Sequence, residues 1–332
     1  MFQEARDEKK VQCSLCSHRC LISAGKRGIC AVRENRGGVL YSLVYDKVIA
    51  RNIDPIEKKP LFHFLPGSLS YSLATPGCNF RCLHCQNADI SQLPRDHGGI
   101  VLGEEVPPAA IVAAALKYRC ASISYTYTEP TIYFELAYDT ARLAAEAGLK
   151  NVFVTNGYIT SEALKVVSPY LHAANIDLKG FTDEFYKKVC GARLQPVLDA
   201  IRLYKELGIW IEITTLVIPD HNDSEDELKG IAQFVKSVGE DIPWHVTRFH
   251  PTYKLTDEPR TPLETLKRAR QIGFEAELRY VYEGNIPGEG EETFCWNCKR
   301  SLVKRTGFSV DENNVKEGKC PYCGMTIDGV WE

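Results

Sequence analysis

From residue 69 to residue 283 the chain repeats one pattern, a β-rich apolar run followed by a helical segment. The strand-like runs are "LSYSLA" (69–74), "ASISYTY" (121–127), "KNVFVT" (150–155), "HAANIDLK" (172–179), "IWIEITTLV" (209–217), "WHVTRFH" (244–250) and "AELRYVYE" (276–283). Between them, helical spacing of apolar residues predicts helices over 106–118, 131–147, 160–168, 194–207, 224–238 and 261–272. "FELAYDTARLAAEAG" shows that spacing and ends at Gly148, a residue suited to a helix C-terminus because it accepts a left-handed backbone. Six strand–helix units in succession predict a parallel sheet with right-handed crossovers, closed as a barrel or open and doubly wound.

Both architectures place chemistry at the C-terminal ends of the strands. Polar residues gather there. Cys78 follows the first strand, Thr128, Glu129 and Pro130 the second, and Thr155, Asn156 and Gly157 the third. Asp177 and Lys179 close the fourth, and Arg248 with His250 close the sixth.

The flanks have a different composition. Residues 1–40 form a cysteine-rich unit, 41–68 a connecting segment, 69–285 the α/β unit and 286–332 a small tail domain behind the glycine- and acid-rich linker "GNIPGEGEE" at 284–292. A chain of 332 residues, 44% hydrophobic, can bury a large core. A net charge of −3 gives no general pull toward nucleic acid or an anionic membrane, although a local basic patch stays open. The charged start "MFQEARDEKKVQC" lacks a signal-peptide core and no run suits a membrane span, so a cytoplasmic protein is expected.

In that reducing compartment thirteen cysteines at short spacings read as metal ligands rather than disulfides. Cys78, Cys82 and Cys85 are spaced C-x3-C-x2-C. Three thiolates leave one position of a metal centre open for chemistry. The competing reading is a zinc site completed by His84 or by a cysteine from elsewhere. Cys295, Cys298, Cys320 and Cys323 form two C-x2-C knuckles with ribbon spacing, expected to hold structural zinc, with rubredoxin-like iron as runner-up. The basic stretch "KRSLVKR" between them reads as a solvated loop rather than a nucleic-acid surface. Cys13, Cys16, Cys20 and Cys30, with His18 among them, make a second closed site. It would hold zinc, which is slightly preferred, or a second iron–sulfur cluster that would relay electrons to the first. Cys120 and Cys190 remain as buried thiols.

The C-x3-C-x2-C spacing after the first strand resembles the radical S-adenosylmethionine (SAM) superfamily. That resemblance implies an α/β fold, a partial (β/α)6 barrel of the TIM type, flanked here by the cysteine-rich N-terminal and zinc-ribbon C-terminal units. It also implies a 4Fe-4S cluster whose open iron is chelated by the amino and carboxylate groups of SAM. One electron, from a reducing donor, then cleaves SAM to methionine and a 5'-deoxyadenosyl radical that abstracts hydrogen from a substrate. His84 stands where the family usually has an aromatic residue, and an imidazole can also pack on adenine.

Within that superfamily "TYTEPT", "VTNG" and "IDLK" are similar to the activases of pyruvate formate-lyase. By that match Glu129 accepts a hydrogen bond from the SAM amino group, with Tyr127 and Thr128 nearby. A plain alternative is a helix start with Thr128 as cap and Pro130 in the first turn. Asn156 would face the adenosine or methionine part. Asp177 and Lys179 would bind ribose hydroxyls and carboxylate, or simply pair with each other. His250 would contact SAM or substrate, or be structural.

The whole chain, with "CSLCSHRC", "DPIEKKPLFHFLPGS", "RFHP" and "YVYEGNIPGEGEETFCWNC", resembles the AmmeMemoRadiSam system radical SAM proteins, which implies Memo-like and AMMECR-like partners. An oxidoreductase-type SAM-cleaving enzyme acting on an unidentified substrate is therefore expected. A glycyl-radical activase is the alternative within that chemistry, methyl transfer stays open, and a metal-stabilised RNA- or protein-binding scaffold is the alternative outside it.

Overall fold

A computed structural model of the chain describes every residue except Pro287 and Glu289, so two positions of the expected linker lie outside the described residues. The central sheet has eight strands: β1 (Ala50–Pro55), β2 (Leu69–Ala74), β3 (Ser122–Tyr125), β4 (Lys150–Thr155), β5 (Ala173–Asp177), β6 (Trp210–Val217), β7 (Trp244–Arg248) and β8 (Val281–Gly284). They lie side by side in chain order. Every neighbouring pair from β2 to β8 is parallel, and only β1 runs antiparallel to β2. Among the described residues β1 and β8 do not pair, so the sheet is a partial barrel.

Six helices fill the crossovers: α1 (Pro108–Lys117), α2 (Phe134–Glu146), α3 (Ser161–Val167), α4 (Leu194–Glu206), α5 (Glu225–Val238) and α6 (Leu263–Glu275). In α2 the buried set includes Phe134, Ala137, Ala141 and Ala144, the three-and-four spacing that turns one stripe onto the sheet. Thr160 and Ser224 start α3 and α5 by accepting the amides of Ala163 and Glu227. Helix α6 lies close on the sheet because residue 273 is glycine. A Cβ there would meet Val281 Cγ2 at 2.7 Å and Trp244 Cε3 at 3.1 Å. Trp244 therefore faces the helix layer, and its strand neighbour His245 faces the barrel interior.

The stretch 41–68, expected only to connect, supplies strand β1 and then closes the N-terminal mouth of the barrel. Asn175 donates to the Pro60 carbonyl at 2.8 Å, and the amides of Phe62 and His63 donate to the Glu212 carboxylate at 3.0 and 2.8 Å. The C-terminal unit fastens to this plug. Its strands Thr293–Phe294, Ser301–Thr306 and Ser309–Asn313 form one antiparallel sheet, Arg305 donates to the Phe62 carbonyl at 2.7 Å, and Phe64 bridges to Val330.

The N-terminal unit lies at the opposite end. It pairs Gln3–Ala5, Val11–Cys13 and Leu21–Ile22 in one small sheet and Arg33–Arg36 with Val39–Ser42 in another. The Ser17 amide donates to the Tyr158 carbonyl at 3.0 Å, beyond the end of β4, so this unit rests on the face where the expected site residues converge.

Candidate active site

The loop after β2 carries Cys78, Cys82 and Cys85 and is held by neighbours rather than by regular structure of its own. Arg81 and Leu83 donate backbone amides to Cys190 and Val189 at 2.8 and 3.0 Å, carbonyls of the π-helical turn Tyr186–Cys190. Arg95 donates to the Cys78 carbonyl at 3.4 Å and to the Ile29 carbonyl at 2.8 Å. Gly77 enters the loop at φ 100°, and a Cβ there would lie 2.8 Å from Val32 Cγ1 and 3.2 Å from the Cys30 carbonyl oxygen. Only glycine combines that backbone with that approach.

Each of the three sulfurs has a hydrogen-bond partner. The Phe80 amide reaches Cys78 Sγ at 3.4 Å, Ser91 Oγ lies 3.1 Å from Cys85 Sγ, and the Cys190 thiol bonds Cys82. Burial, reinforced by the nearby Glu129 charge, pushes the Cys78 thiol well up, and burial raises Cys85 as well. Cys82 goes the other way, because the Cys190 hydrogen bond and the Lys179 charge outweigh burial. Binding of a cationic centre would then displace protons from the raised thiols.

Behind the loop, Glu129 and Asn156 form one connected unit with it. Glu129 Oε1 accepts from the Thr131 amide (3.0 Å), Thr131 Oγ1 (2.6 Å) and Thr155 Oγ1 (2.8 Å), while Oε2 accepts from the Asn156 amide alone (2.8 Å). Oε2 therefore keeps acceptor capacity. Burial nonetheless raises this carboxyl against those four donors. Asn156 Nδ2 donates to Asn79 Oδ1 at 2.8 Å and approaches Cys78 Sγ at 3.9 Å. The expected cap is corrected here. Glu129 itself caps the short 3-10 turn Pro130–Tyr133, and Thr128 instead ties its hydroxyl to the Thr75 carbonyl at 2.9 Å. Two donors in this region are buried without partners, Asn79 Nδ2 and the His84 ring, whose nitrogens are both unpaired. Burial holds the His84 imidazole down at about 3, so it stays neutral.

The structure brings together some expected residues and separates others. Asp177 and Lys179 pair at 2.7 Å beside Cys82. Burial alone would lower the Lys179 ammonium, but Asp177 with Cys82 and Cys190 holds it well above its ordinary value. Tyr127 turns its hydroxyl away from the triad, onto Asp54 of β1, and its ring onto the Lys59 ammonium 4.6 Å from the centroid. Only its carbonyl meets the cysteine loop, through Asn87 Nδ2 at 2.9 Å. His250 is not brought to the triad by any hydrogen bond. It lies two residues beyond the end of β7, near Arg260 and Arg248, and Arg248 donates to the Thr261 carbonyl ahead of α6. Cys190, expected as a plain buried thiol, is instead a neighbour of Cys82; its sequence carries no spacing that could have shown this.

The four C-terminal cysteines are gathered as a single-ion site. Their sulfurs all lie within 4.8 Å of one another, with Cys295 to Cys323 and Cys298 to Cys320 both at 3.7 Å. Hydrogen bonds from the Met325 amide and Asn297 hold Cys323 down at about 6. Among the described residues no other three histidine, cysteine or carboxylate ligand atoms are so close together. The Cys78 triad is thus more widely spread, and neither His84 nor another cysteine completes a zinc cage there. Three spread thiolates beside the unpartnered Asn79 Nδ2 and His84 ring fit a larger centre with one open position.

The Radical SAM superfamily model matches residues 72–235, the strands and loops that carry this geometry. The chain belongs to that superfamily. Its similarity to the uncharacterized protein MJ0808 of Methanocaldococcus jannaschii is 52% identity, covering 99% of this chain and 98% of that protein. The pyruvate formate-lyase-activating enzyme of Clostridium pasteurianum is 20% identical over 62% of this chain and 89% of its own length. Among solved structures, a radical SAM methyltransferase from Sphaerobacter thermophilus shares the fold with TM-score 0.52 and 15% identity, covering 66% of this chain and 67% of that one.

Proposed function

We propose that the protein is a radical SAM enzyme in which Cys78, Cys82 and Cys85 hold a 4Fe-4S cluster and SAM is cleaved to start hydrogen abstraction from a substrate. The observation that carries this is the joining of the triad to Glu129 and Asn156 through Asn79, with donors left unpaired in the same buried space. When bound, the reduced cluster supplies one electron to the sulfonium of SAM.

The chain's own groups would then bind and orient. Glu129 Oε2 accepts the SAM ammonium, Asn156 fixes the Glu129 carboxylate against the cysteine loop, and the neutral His84 ring packs on adenine. The Lys179 ammonium and Asp177 carboxylate, being paired, divide between the SAM carboxylate and ribose hydroxyls. Thr128 anchors the Glu129 turn to the loop after β2. Burial of the whole group excludes water from a radical.

The ribbon's four thiolates fit zinc with a structural role. The substrate is a small molecule or a protein. The similarity to an activating enzyme supports the second reading, installation of a glycyl radical on a partner protein, but neither that likeness nor a shared fold selects a reaction. The resemblance to the AmmeMemoRadiSam system adds Memo-like and AMMECR-like proteins as proposed partners. Among the described residues no helix is long and apolar enough to cross a membrane, and a cytoplasmic site of action is proposed.

The test is anaerobic reconstitution, electron paramagnetic resonance of the reduced protein with and without SAM, and assay of 5'-deoxyadenosine. A SAM-dependent change of the cluster signal with nucleoside product is expected. A fully iron-loaded protein that shows neither would overturn the proposal, and a radical signal on an added partner protein would select the activase reading.

A further inference from the structure

We infer that Cys13, Cys16, Cys20 and Cys30 hold a second cuboidal iron–sulfur cluster, seated directly behind the loop of the first. The preference for zinc at this site, drawn from the spacing of four ligands, gives way to three observations. They concern sulfur separation, an unpaired donor and position.

All four cysteines line one small cavity of about 20 Å³, walled by Leu15, Ile22, Ile29 and Ile132. Yet no three of their sulfurs lie within 4.8 Å of one another, whereas the C-terminal tetrad closes to 3.7 Å. A tetrahedral zinc with bonds of about 2.3 Å holds its sulfurs about 3.8 Å apart, the spacing of the ribbon. A cube of iron and sulfide between four thiolates holds them farther apart than a single ion does. One chain therefore carries two four-cysteine sites of different gauge.

The second observation is Arg33. Its two terminal nitrogens are both committed to the Glu135 carboxylate, one at 3.1 Å, while its Nε is buried with no partner, in a side chain only 3% exposed that lines this cavity. A buried N–H without an acceptor carries an uncompensated desolvation cost. An anionic cluster presents inorganic sulfide and thiolate sulfurs as acceptors to it. Backbone groups of His18, Ile29, Val32 and Arg33 lie beside the sulfurs of Cys16, Cys20 and Cys30, where N–H groups can tune the potential of such a cluster.

The third is position. The Cys30 carbonyl packs on Gly77, next to Cys78, and Arg95 bonds both the Ile29 and the Cys78 carbonyls. His18 Nε2 donates to the Asn79 carbonyl at 2.8 Å. Thr131 and Ile132, which follow Glu129, form the cavity's barrel side. One layer of residues separates the two centres.

The inference does not require SAM cleavage. It is tested on the full chain produced with both iron and zinc supplied, purified without oxygen, and carrying serine at 78, 82 and 85. Iron, acid-labile sulfide and zinc are counted per chain, with Mössbauer spectra of the iron. The expected result is a fall of iron and sulfide to half the wild-type amount, leaving about four of each together with the ribbon's ion. Loss of all iron and sulfide with zinc rising to two per chain would overturn the inference, and so would an N-terminal site without metal.

Because N-terminal cysteine variants can fail to fold, Arg33→Gln in the same triple-serine background is the second measurement. It should lower the potential of the remaining cluster while its iron count holds. An unchanged potential would remove Arg33 from the site.

Discussion

Two buried histidines sit at opposite ends of the barrel and are treated in opposite ways. His63, in the plug at the N-terminal mouth, is fully buried with both ring nitrogens bonded at 2.6 Å, Nδ1 donating to the Asp328 carbonyl and Nε2 accepting from the Tyr282 hydroxyl. His84, in the cysteine loop at the C-terminal mouth, is 4% exposed with neither nitrogen bonded. Buried polar groups are normally satisfied, and one that is not stores a cost that a ligand can remove. The plug end is thus finished by the protein itself, and the cysteine end is left for something to bind. Barrel enzymes generally divide stability and chemistry between their ends in this way.

The largest effect that would test this division is loss of Glu212. This fully buried carboxylate accepts from Phe62, His63, Trp210 and, at 2.7 Å, His245. Glu212→Ala leaves those donors unpaired and should cost about 3–5 kcal/mol of stability, read by denaturant unfolding. SAM affinity of the folded fraction should be unchanged; a variant that melts normally but binds SAM poorly would break the comparison.

Acid probes the same end. Burial holds the folded His63 imidazole down at about 4, against an ordinary value near 6.5. Between those values the unfolded chain binds the proton and the folded one does not, so stability falls with pH across that window. It is fully present above about 6.5 and lost on the way down to about 4, a span worth on the order of 3 kcal/mol. His63→Phe in the metal-free protein should flatten that part of the stability–pH curve. A variant curve parallel to the wild type would assign the acid sensitivity elsewhere.

At the other end, Glu129→Gln should weaken SAM binding about 10- to 100-fold, since a hydrogen bond to a charged group is worth about 1.5–3 kcal/mol. Iron content should hold, because Glu129 touches no cysteine sulfur by a hydrogen bond. Equal loss of iron and SAM binding, measured by metal analysis and equilibrium dialysis, would make the carboxylate a brace for the loop.

These outcomes bear on how the sequence could be read. Runs 69–74 and 150–155 coincide with β2 and β4, since alternating β-branched and aromatic residues bounded by turn signals act locally. The run 276–283 begins too early, because α6 extends to Glu275 and the strand starts only at Val281. Strand β1 was not legible. "ARNIDP" has little alternation, and what recruits it is the free edge of β2, a tertiary fact. Asn156 and Glu129 were legible from strand ends. The turning of Tyr127 toward Asp54 was not, because it depends on β1 and on a left-handed backbone at φ 60°.

Cys190 offers the smallest and most exacting test. Its thiol, on the π-helical turn, bonds Cys82, and the backbone of the same turn receives the amides of Arg81 and Leu83. A hydrogen bond to a ligand sulfur favours the more negative, reduced state of a cluster. Cys190→Ala should therefore lower the midpoint potential of the Cys78 centre by roughly 20–40 mV, the equivalent of about 0.5–1 kcal/mol for one electron. Redox titration followed by electron paramagnetic resonance would measure it, with SAM affinity and iron content held. Cys190→Ser, which keeps a donor, should recover part of the shift. If alanine instead removes iron from the centre, Cys190 is a ligand rather than a donor, the open position that distinguishes the cysteine end is closed, and the contrast between the two ends of the barrel fails at its chemically most important point.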